Sequence, residues 1–298
     1  MARRRKGRPI HGWLVIDKPQ GLTSAAVVAA VRRISGAAKV GHSGTLDPLA
    51  TGVLPVALGE ATKTVSYVMD GTKAYSFTVA WGEARDTDDS EGAVTERSDV
   101  RPSAAAVTAA LPSFIGTIEQ LPPAYSALKV GGRRAYDLAR AGQTVELAPR
   151  QVRVDSLKLL ASPDPDHACF ELVCGKGTYV RALARDLGRL LGSFGHVVEM
   201  RRTQVGDFSE GQAISLDKLN ELRHSSALDS AILPVETALA DIPVLALTGP
   251  QAERLQHGQA IRVLNIADGI CRTMTDGRLV ALAEAKDGEV RPLRVFNC

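Results

Sequence analysis

Asp47 is the only acidic residue between Asp17 and Glu60, and it precedes Pro48 in the glycine-rich stretch KVGHSGTLDPLATG. Proline fixes its own φ and drives the preceding residue into extended backbone. A lone carboxylate therefore sits on a stiffened turn among Leu46, Leu49 and Ala50, a candidate for carboxylate chemistry; the plain alternative is an Asp-Pro turn. Arg181 falls in the first turn of the helix expected over YVRALARDLGRLLG. The helix dipole disfavours a cation there by a few tenths of a kcal/mol to about 1 kcal/mol. A nearby carboxylate or RNA phosphate would remove that conflict, whereas Arg185 and Arg189, at i+4 and i+8, make a solvated basic stripe the alternative. Tyr75 opens an aromatic strand face, and its hydroxyl needs a partner if it is buried. His42 lies between Gly41 and Gly44 in an exposed-looking loop, where an imidazole can stack on or wedge between bases.

Other chemistries find no residues to carry them. GKGT suggests a phosphate loop, but that motif needs a glycine five residues before Gly175, and the position is Phe170. Cys169, Cys174, Cys271 and Cys298 form neither a CxxC pair nor a Cys/His ligand spacing. They read as free thiols, with Cys169 and Cys174 in the core. No metal and no cofactor are expected.

The elements that must position these residues follow from periodicity. GWLVIDKP is a short strand stopped by Pro19, and Thr23 or Ser24 caps a helix bearing Val27, Val28, Val31 and Ile34. KVGHSGTLDPLATG is a loop. In AYSFTVAW, Tyr75, Phe77, Val79 and Trp81 share one face of a strand. GEARDTDDSEG is expected as an exposed acidic loop, and 103–115 as a short helix. Residues 116–150 look like a mobile insertion around one short helix. FELVC and HVVEMRR are strands, and in the helix between them Val180, Leu183, Leu187, Leu190 and Leu191 fit one face. A Pro/Gly-marked junction near 243–250 opens a tail of short strands, AIRVLNI, GICRTMT, RLVALAEA and PLRVF. The fold class is α+β, with a largely antiparallel sheet, helices on it, and a small β-rich C-terminal domain.

Composition sets the bounds. With 298 residues, 45% hydrophobic, the chain is long enough for about two domains and a substantial core. There is no signal-peptide pattern or run of apolar residues long enough for a membrane span, so a cytoplasmic location is expected. The net charge of +3 is unevenly spread. Residues 1–8 carry Arg3, Arg4, Arg5, Lys6 and Arg8 with no acid. Lys129, Arg133, Arg134, Arg140, Arg150 and Arg153 face only Asp137 and Glu146 between 122 and 153, while 83–99 is strongly acidic. Such local basic surfaces suit a polyanion.

The segments DKPQGLTS, KVGHSGTLDPLATG, KAY, PPAYSALK and GKGTYVRALARDLG resemble, in identity, order and spacing, the TruB-type tRNA pseudouridine synthases. The resemblance runs from about residue 11 to the C-terminus and is weakest in the tail. Ser43, Gly175 and Met200 depart from the family's usual residues, and none of the three removes a group with an assigned chemical role. The resemblance implies that uridine 55 in the tRNA T-arm becomes pseudouridine by cleavage of C1′–N1, rotation of the uracil and bonding of C5 to C1′. Asp47 would act on the base, on C1′ or on a sugar proton, and Arg181 would pair with it. Tyr75 would stack on the base, Tyr179 would line the pocket, Met200 would close it, and His42 would fill the RNA loop the base vacates. Lys18 joins the RNA-binding set, as do Lys129, Arg133 and Arg134 of an RNA-clasping insertion at about 122–150. The implied domains are a disordered basic arm (1–10), a catalytic domain (11–246) and a PUA-like RNA-binding domain (247–298). The protein would act as a stand-alone monomer on tRNA, without guide RNA, membrane or obligate protein partner. Alternatives are a non-catalytic RNA-binding or ribosome-assembly factor and a nucleoside hydrolase, which would need a second placed acid.

Overall fold

The computed structural model describes residues 7–126, 128–143, 146–223 and 225–297, with the side chains of Lys129 and Arg134 excepted. The chain begins β1 (Gly12–Lys18), α1 (Ser24–Ser35), β2 (Val40–His42), β3 (Thr51–Leu58), α2 (Val65–Asp70) and β4 (Lys73–Trp81). It continues β5 (Glu83–Arg85), β6 (Val94–Arg97), α3 (Ala104–Ala110), β7 (Gly116–Gln120), β8 (Lys129–Val130), β9 (Arg133–Arg134) and α4 (Ala135–Arg140). Then come β10 (Arg150–Asp164), β11 (His167–Cys174), α5 (Val180–Leu190), β12 (Gly195–Val205), β13 (Phe208–Ser209), α6 (Leu216–Leu222) and α7 (Ala227–Ser230). The last section is β14 (Val244–Ala246), α8 (Gly249–Gln256), β15 (Ile261–Arg262), β16 (Gly269–Thr275), β17 (Arg278–Lys286) and β18 (Glu289–Val295).

A nine-stranded sheet has the order β1-β3-β12-β4-β11-β10-β7, with β2 on β3 and β13 on β12. Its one parallel contact, β12 on β3, is confined to Thr51 and Gly52. Alternation works as expected on β4, where Phe77, Val79 and Trp81 are buried. Phe77 stacks on Phe170 of β11 with ring centroids 5.2 Å apart. Thr23 is the cap of α1, accepting from the Ala26 amide at 3.1 Å, and Gly36 ends the helix with φ +68°.

The sheet is covered on both sides. Leu14 and Ile16 of β1 pack with α1 and α5 in one core, whereas Trp13 and Val15 face a second core with Phe208, Leu279, Leu282 and Phe296. The latter three belong to the C-terminal unit, a five-stranded sheet of order β14-β16-β17-β18-β15 with its own small core under α8. The Lys63 ammonium donates to the Val295 carbonyl at 2.8 Å and lies 5.8 Å from the Phe296 ring centre. Among the described residues no helix is long and apolar enough to cross a membrane.

Several expectations need correction. The acidic stretch is not an exposed loop: β5 pairs β6, and between them Asp88 and Asp89 are buried. The insertion is anchored at its start, because β7 pairs residue by residue with the first turnless stretch of β10, a 15-residue strand that was not foreseen. The C-terminal sheet begins at Val244 and carries a helix, α8, started by a Thr248/Gln251 capping box. Residues 1–6 of the basic arm lie outside the described residues, but the backbone of the exposed Arg8 is held, its amide donating to the Gly36 carbonyl at 2.7 Å.

Candidate active site

The Asp47 loop is clamped from several sides. Ser24, at the start of α1, donates its hydroxyl to the Leu46 carbonyl (3.1 Å) and accepts from the Leu46 amide (2.8 Å). Leu46, Leu49 and Ala50 are buried, so the apolar neighbours of Asp47 anchor the turn while its side chain stays 37% exposed. Two buried cations grip loop carbonyls. Lys18, with 0% exposure, donates to the carbonyls of Pro19 (2.9 Å), Leu22 (2.7 Å) and Pro48 (3.2 Å). Burial pushes its amine down to about 8, against the opposing pull of the Asp47 charge. Arg202 of β12, 1% exposed, donates to Gly44 (3.2 Å) and Val53 (2.8 Å). Its strand can approach so closely because residue 52 is glycine: at φ +96°, a Cβ there would lie 2.2 Å from the Arg202 carbonyl oxygen.

Arg181 enters from the first turn of α5 and is 4% exposed. Its Nε pairs with Asp47 Oδ2 at 3.0 Å, and its Nη1 with Asp89 Oδ2 at 3.4 Å. Nη1 also donates to the Thr87 carbonyl (2.6 Å) and Nη2 to the Tyr125 carbonyl (2.8 Å). The dipole conflict is thus resolved by carboxylates. Asp89 is itself fixed, its Oδ1 accepting from the Thr87 hydroxyl (2.5 Å) and the Glu91 amide (3.1 Å). The Ser90 amide donates to Val197 at 2.9 Å, stitching this loop to β12. One turn further along α5, Arg185 pairs with Asp88 at 3.0 Å and donates to the Leu121 carbonyl at 2.8 Å. The solvated-stripe alternative fails for Arg181 and Arg185; Arg189 alone of the three is exposed.

Asp47, Tyr75, Tyr179, Arg181 and Met200 line one cleft of about 610 Å³. Burial pushes the Tyr75 phenol above its ordinary value, with the Arg202 guanidinium beside it acting in the opposite sense. Tyr179 caps α5 through its backbone: its amide donates to Gln120 Oε1 (2.8 Å), and Gln120 Nε2 donates back to its carbonyl (3.1 Å). Burial raises the Tyr179 phenol as well. The result is a paired carboxylate open on one side to a cavity with aromatic and thioether walls, large enough for a nucleotide.

Residues 32–180 match the N-terminal domain of the TruB family pseudouridylate synthases, 181–240 the C-terminal domain of tRNA pseudouridylate synthase B, and 242–297 the C-terminal part of tRNA pseudouridine synthase II. A tRNA pseudouridine synthase B of Rhodospirillum rubrum is 56% identical, covering 100% of both chains. The chain belongs to the TruB family. A second relative, from Bradyrhizobium diazoefficiens and of the same name, is also 56% identical over 99% of this chain and 88% of its own. Among solved structures, an H/ACA RNP bound to a substrate RNA containing 2′-deoxyuridine aligns with a TM-score of 0.73 at 25% identity, over 100% of this chain and 92% of the other. A Cbf5–Nop10–Gar1 complex gives the same score and identity, with 100% and 90% coverage.

Other site residues of this TruB chain fall differently. His42 ends β2, half-buried on the Asp47 loop but outside the cleft lining, with Nδ1 accepting from the Gly44 amide at 3.3 Å. Lys18 is a correction: 0% exposed, with its ammonium on three loop carbonyls, it holds the loop and presents no charge at the surface. Arg133 is exposed on the β8/β9 hairpin, where Lys129 pairs with Arg134 through the backbone. Asp89, Lys73 and Arg202 were missed. Lys73 lines the cleft with its ammonium donating to the Met69 and Gly71 carbonyls, and burial lowers it to about 8. Its place in KAY beside Tyr75 was the available signal. The acids of the 86–92 loop do come beside Asp47, but through Arg181. Among the described residues no group of three or more His, Cys, Asp and Glu is placed to hold a metal ion.

Proposed function

We propose that this protein isomerises uridine 55 in the T-arm of tRNA to pseudouridine, without metal, nucleotide or guide RNA. The observation that carries this is the ion pair of Asp47 with a buried Arg181 at 3.0 Å, open to a cleft walled by Tyr75, Tyr179 and Met200. The C1′–N1 bond breaks, the uracil turns, and C5 bonds to C1′. C5 loses a proton and N1 gains one, so no oxidant, reductant or transferred group enters. Asp47 supplies the carboxylate, whether it adds to the base, attacks C1′ or takes a sugar proton. Arg181 fixes its position, and Tyr75 stacks on the uracil. Met200 and Tyr179 keep water from the cleaved sugar. Everting the base costs a few kcal/mol, and His42, carried on the Asp47 loop, fills the gap. The β8/β9 hairpin and the C-terminal sheet hold the RNA around it. Identity of 56% to synthases named for tRNA, against 25% to Cbf5 in its complexes, favours a stand-alone enzyme.

The test is incubation with an unmodified tRNA transcript in EDTA, followed by pseudouridine mapping. A single product at position 55 is expected, with none from Asp47→Asn, whose RNA affinity stays within about threefold of wild type because the site, not the RNA-holding surface, is altered. Product only in the anticodon arm or in ribosomal RNA would refute the substrate, and turnover by Asp47→Asn would refute the site.

A further inference from the structure

Ser126 stands in the same cleft as Asp47, Tyr75 and Tyr179, on the segment that follows β7. It is 3% exposed, and its Oγ lies beside the Tyr179 phenol, which lines the same cleft, without a hydrogen bond of full geometry to any described residue. A buried hydroxyl without a partner is a cost of about 1–3 kcal/mol, which folded proteins rarely carry without a use for it. The backbone around it is fixed independently of that hydroxyl. The Tyr125 carbonyl accepts from Arg181 at 2.8 Å, and the Ser126 carbonyl accepts from the Tyr136 amide at 3.0 Å. The hydroxyl is therefore presented to the cleft by a main chain pinned on both sides, one pin being the same guanidinium that holds Asp47.

We propose that the Ser126 hydroxyl donates a hydrogen bond to a carbonyl oxygen of the everted uracil. An inserted base loses water from both of its carbonyl oxygens and needs donors in return. The contact is to the base and not to phosphate, because the exposed cations of the cleft, Arg150 and Lys176, stand at its mouth while Ser126 is enclosed in its wall. The inference rests on the uridine reading above, and it adds a specificity-determining contact supplied by the insertion.

The test uses a T-arm stem-loop in two forms, one with uridine at the target position and one abasic there. In an Asp47→Asn background, which holds substrate without turnover, adding Ser126→Ala weakens binding of the uridine form about 3- to 10-fold, the range expected for one neutral hydrogen bond. Binding of the abasic form changes by less than about twofold, because the backbone anchors at Tyr125 and Ser126 remain. Equal weakening of both forms would mean that Ser126 shapes the insertion, and no weakening of either would mean no contact; both overturn the proposal. If wild-type protein fails to modify tRNA, the enzymatic reading falls instead, and that assay is separate.

Discussion

Asp89→Asn isolates what the second carboxylate does for Arg181. The amide keeps the shape of Asp89, and its oxygen still accepts from Thr87 and the Glu91 amide, but a neutral group replaces the charge 3.4 Å from Arg181 Nη1. At an effective dielectric of about 20, two unit charges at that separation attract by about 5 kcal/mol. Arg181 retains Asp47 and two carbonyls, so the net loss is smaller, on the order of 2–3 kcal/mol. Freed on one side, the guanidinium shifts toward Asp47 or the cleft, and the carboxylate leaves its productive position. That free energy corresponds to about a 30- to 150-fold fall in the rate of pseudouridine formation. Single-turnover conversion of an unmodified tRNA transcript measures it, with filter binding expected to show RNA affinity within about threefold. A folded variant whose rate stays within about threefold of wild type would refute the view that Asp89 holds Arg181 in place.

Lys18 and Lys73, both lowered to about 8 by burial, release protons in the folded chain before the unfolded one, whose lysines titrate near 10.5. Between about pH 8 and 10.5 the unfolded state binds more protons, so these groups make stability rise with pH in that window and contribute nothing to it below; urea titrations of Lys18→Met should show a shallower rise. Over the same range the Lys18 ammonium becomes an amine with too few protons for three carbonyls, so activity should decline with an apparent midpoint near pH 8, and a flat profile to pH 9.5 would count against the clamp. Replacing Lys129, Arg133 and Arg134 together by alanine should flatten the log–log salt dependence of RNA binding by about two to three units and leave the modified uridine the same; an unchanged slope removes the hairpin from the interface. Gly52→Ala forces a Cβ to within 2.2 Å of the Arg202 carbonyl at a positive φ, which should cost on the order of 3 kcal/mol and lower the melting temperature and the activity together; a variant as stable as wild type would show that the two strands can separate.

What the sequence disclosed depended on whether local signals determine the outcome. Asp47 stood out because Pro48 and the neighbouring glycines define its turn locally, and β4 and α5 because their apolar residues keep a clean period. Asp88 and Asp89 were misjudged because acids in a polar run look solvated; only the contact of their loop with β12, and two arginines on α5, make burial tolerable. The first residues of β10 alternate, but its distal half is exposed, so its pattern fades into that of a loop. β3 contains Pro55, normally evidence against an interior strand. It is accommodated where the neighbours of β3 change: β2 pairs from Leu58 back to Val56, β12 pairs only at Thr51 and Gly52, and at Pro55 itself the carbonyl alone is used, accepting from the Ser43 amide at 3.1 Å. Lys18 entered the RNA-binding set with the resemblance, and nothing local reveals three carbonyls converging on it.

The double-faced burial of β1 has a consequence for biosynthesis. Trp13 and Val15 leave the ribosome long before Leu279, Leu282 and Phe296 of the cluster that covers them. Until β17 and β18 are made, the nascent chain therefore carries a tryptophan-bearing surface that is only partly covered. Such a surface is prone to association while it waits. A stalled or nicked chain lacking β17 and β18 should thus leave Trp13 and Val15 partly bare and associate more readily than the whole chain, even with its Asp47 loop intact.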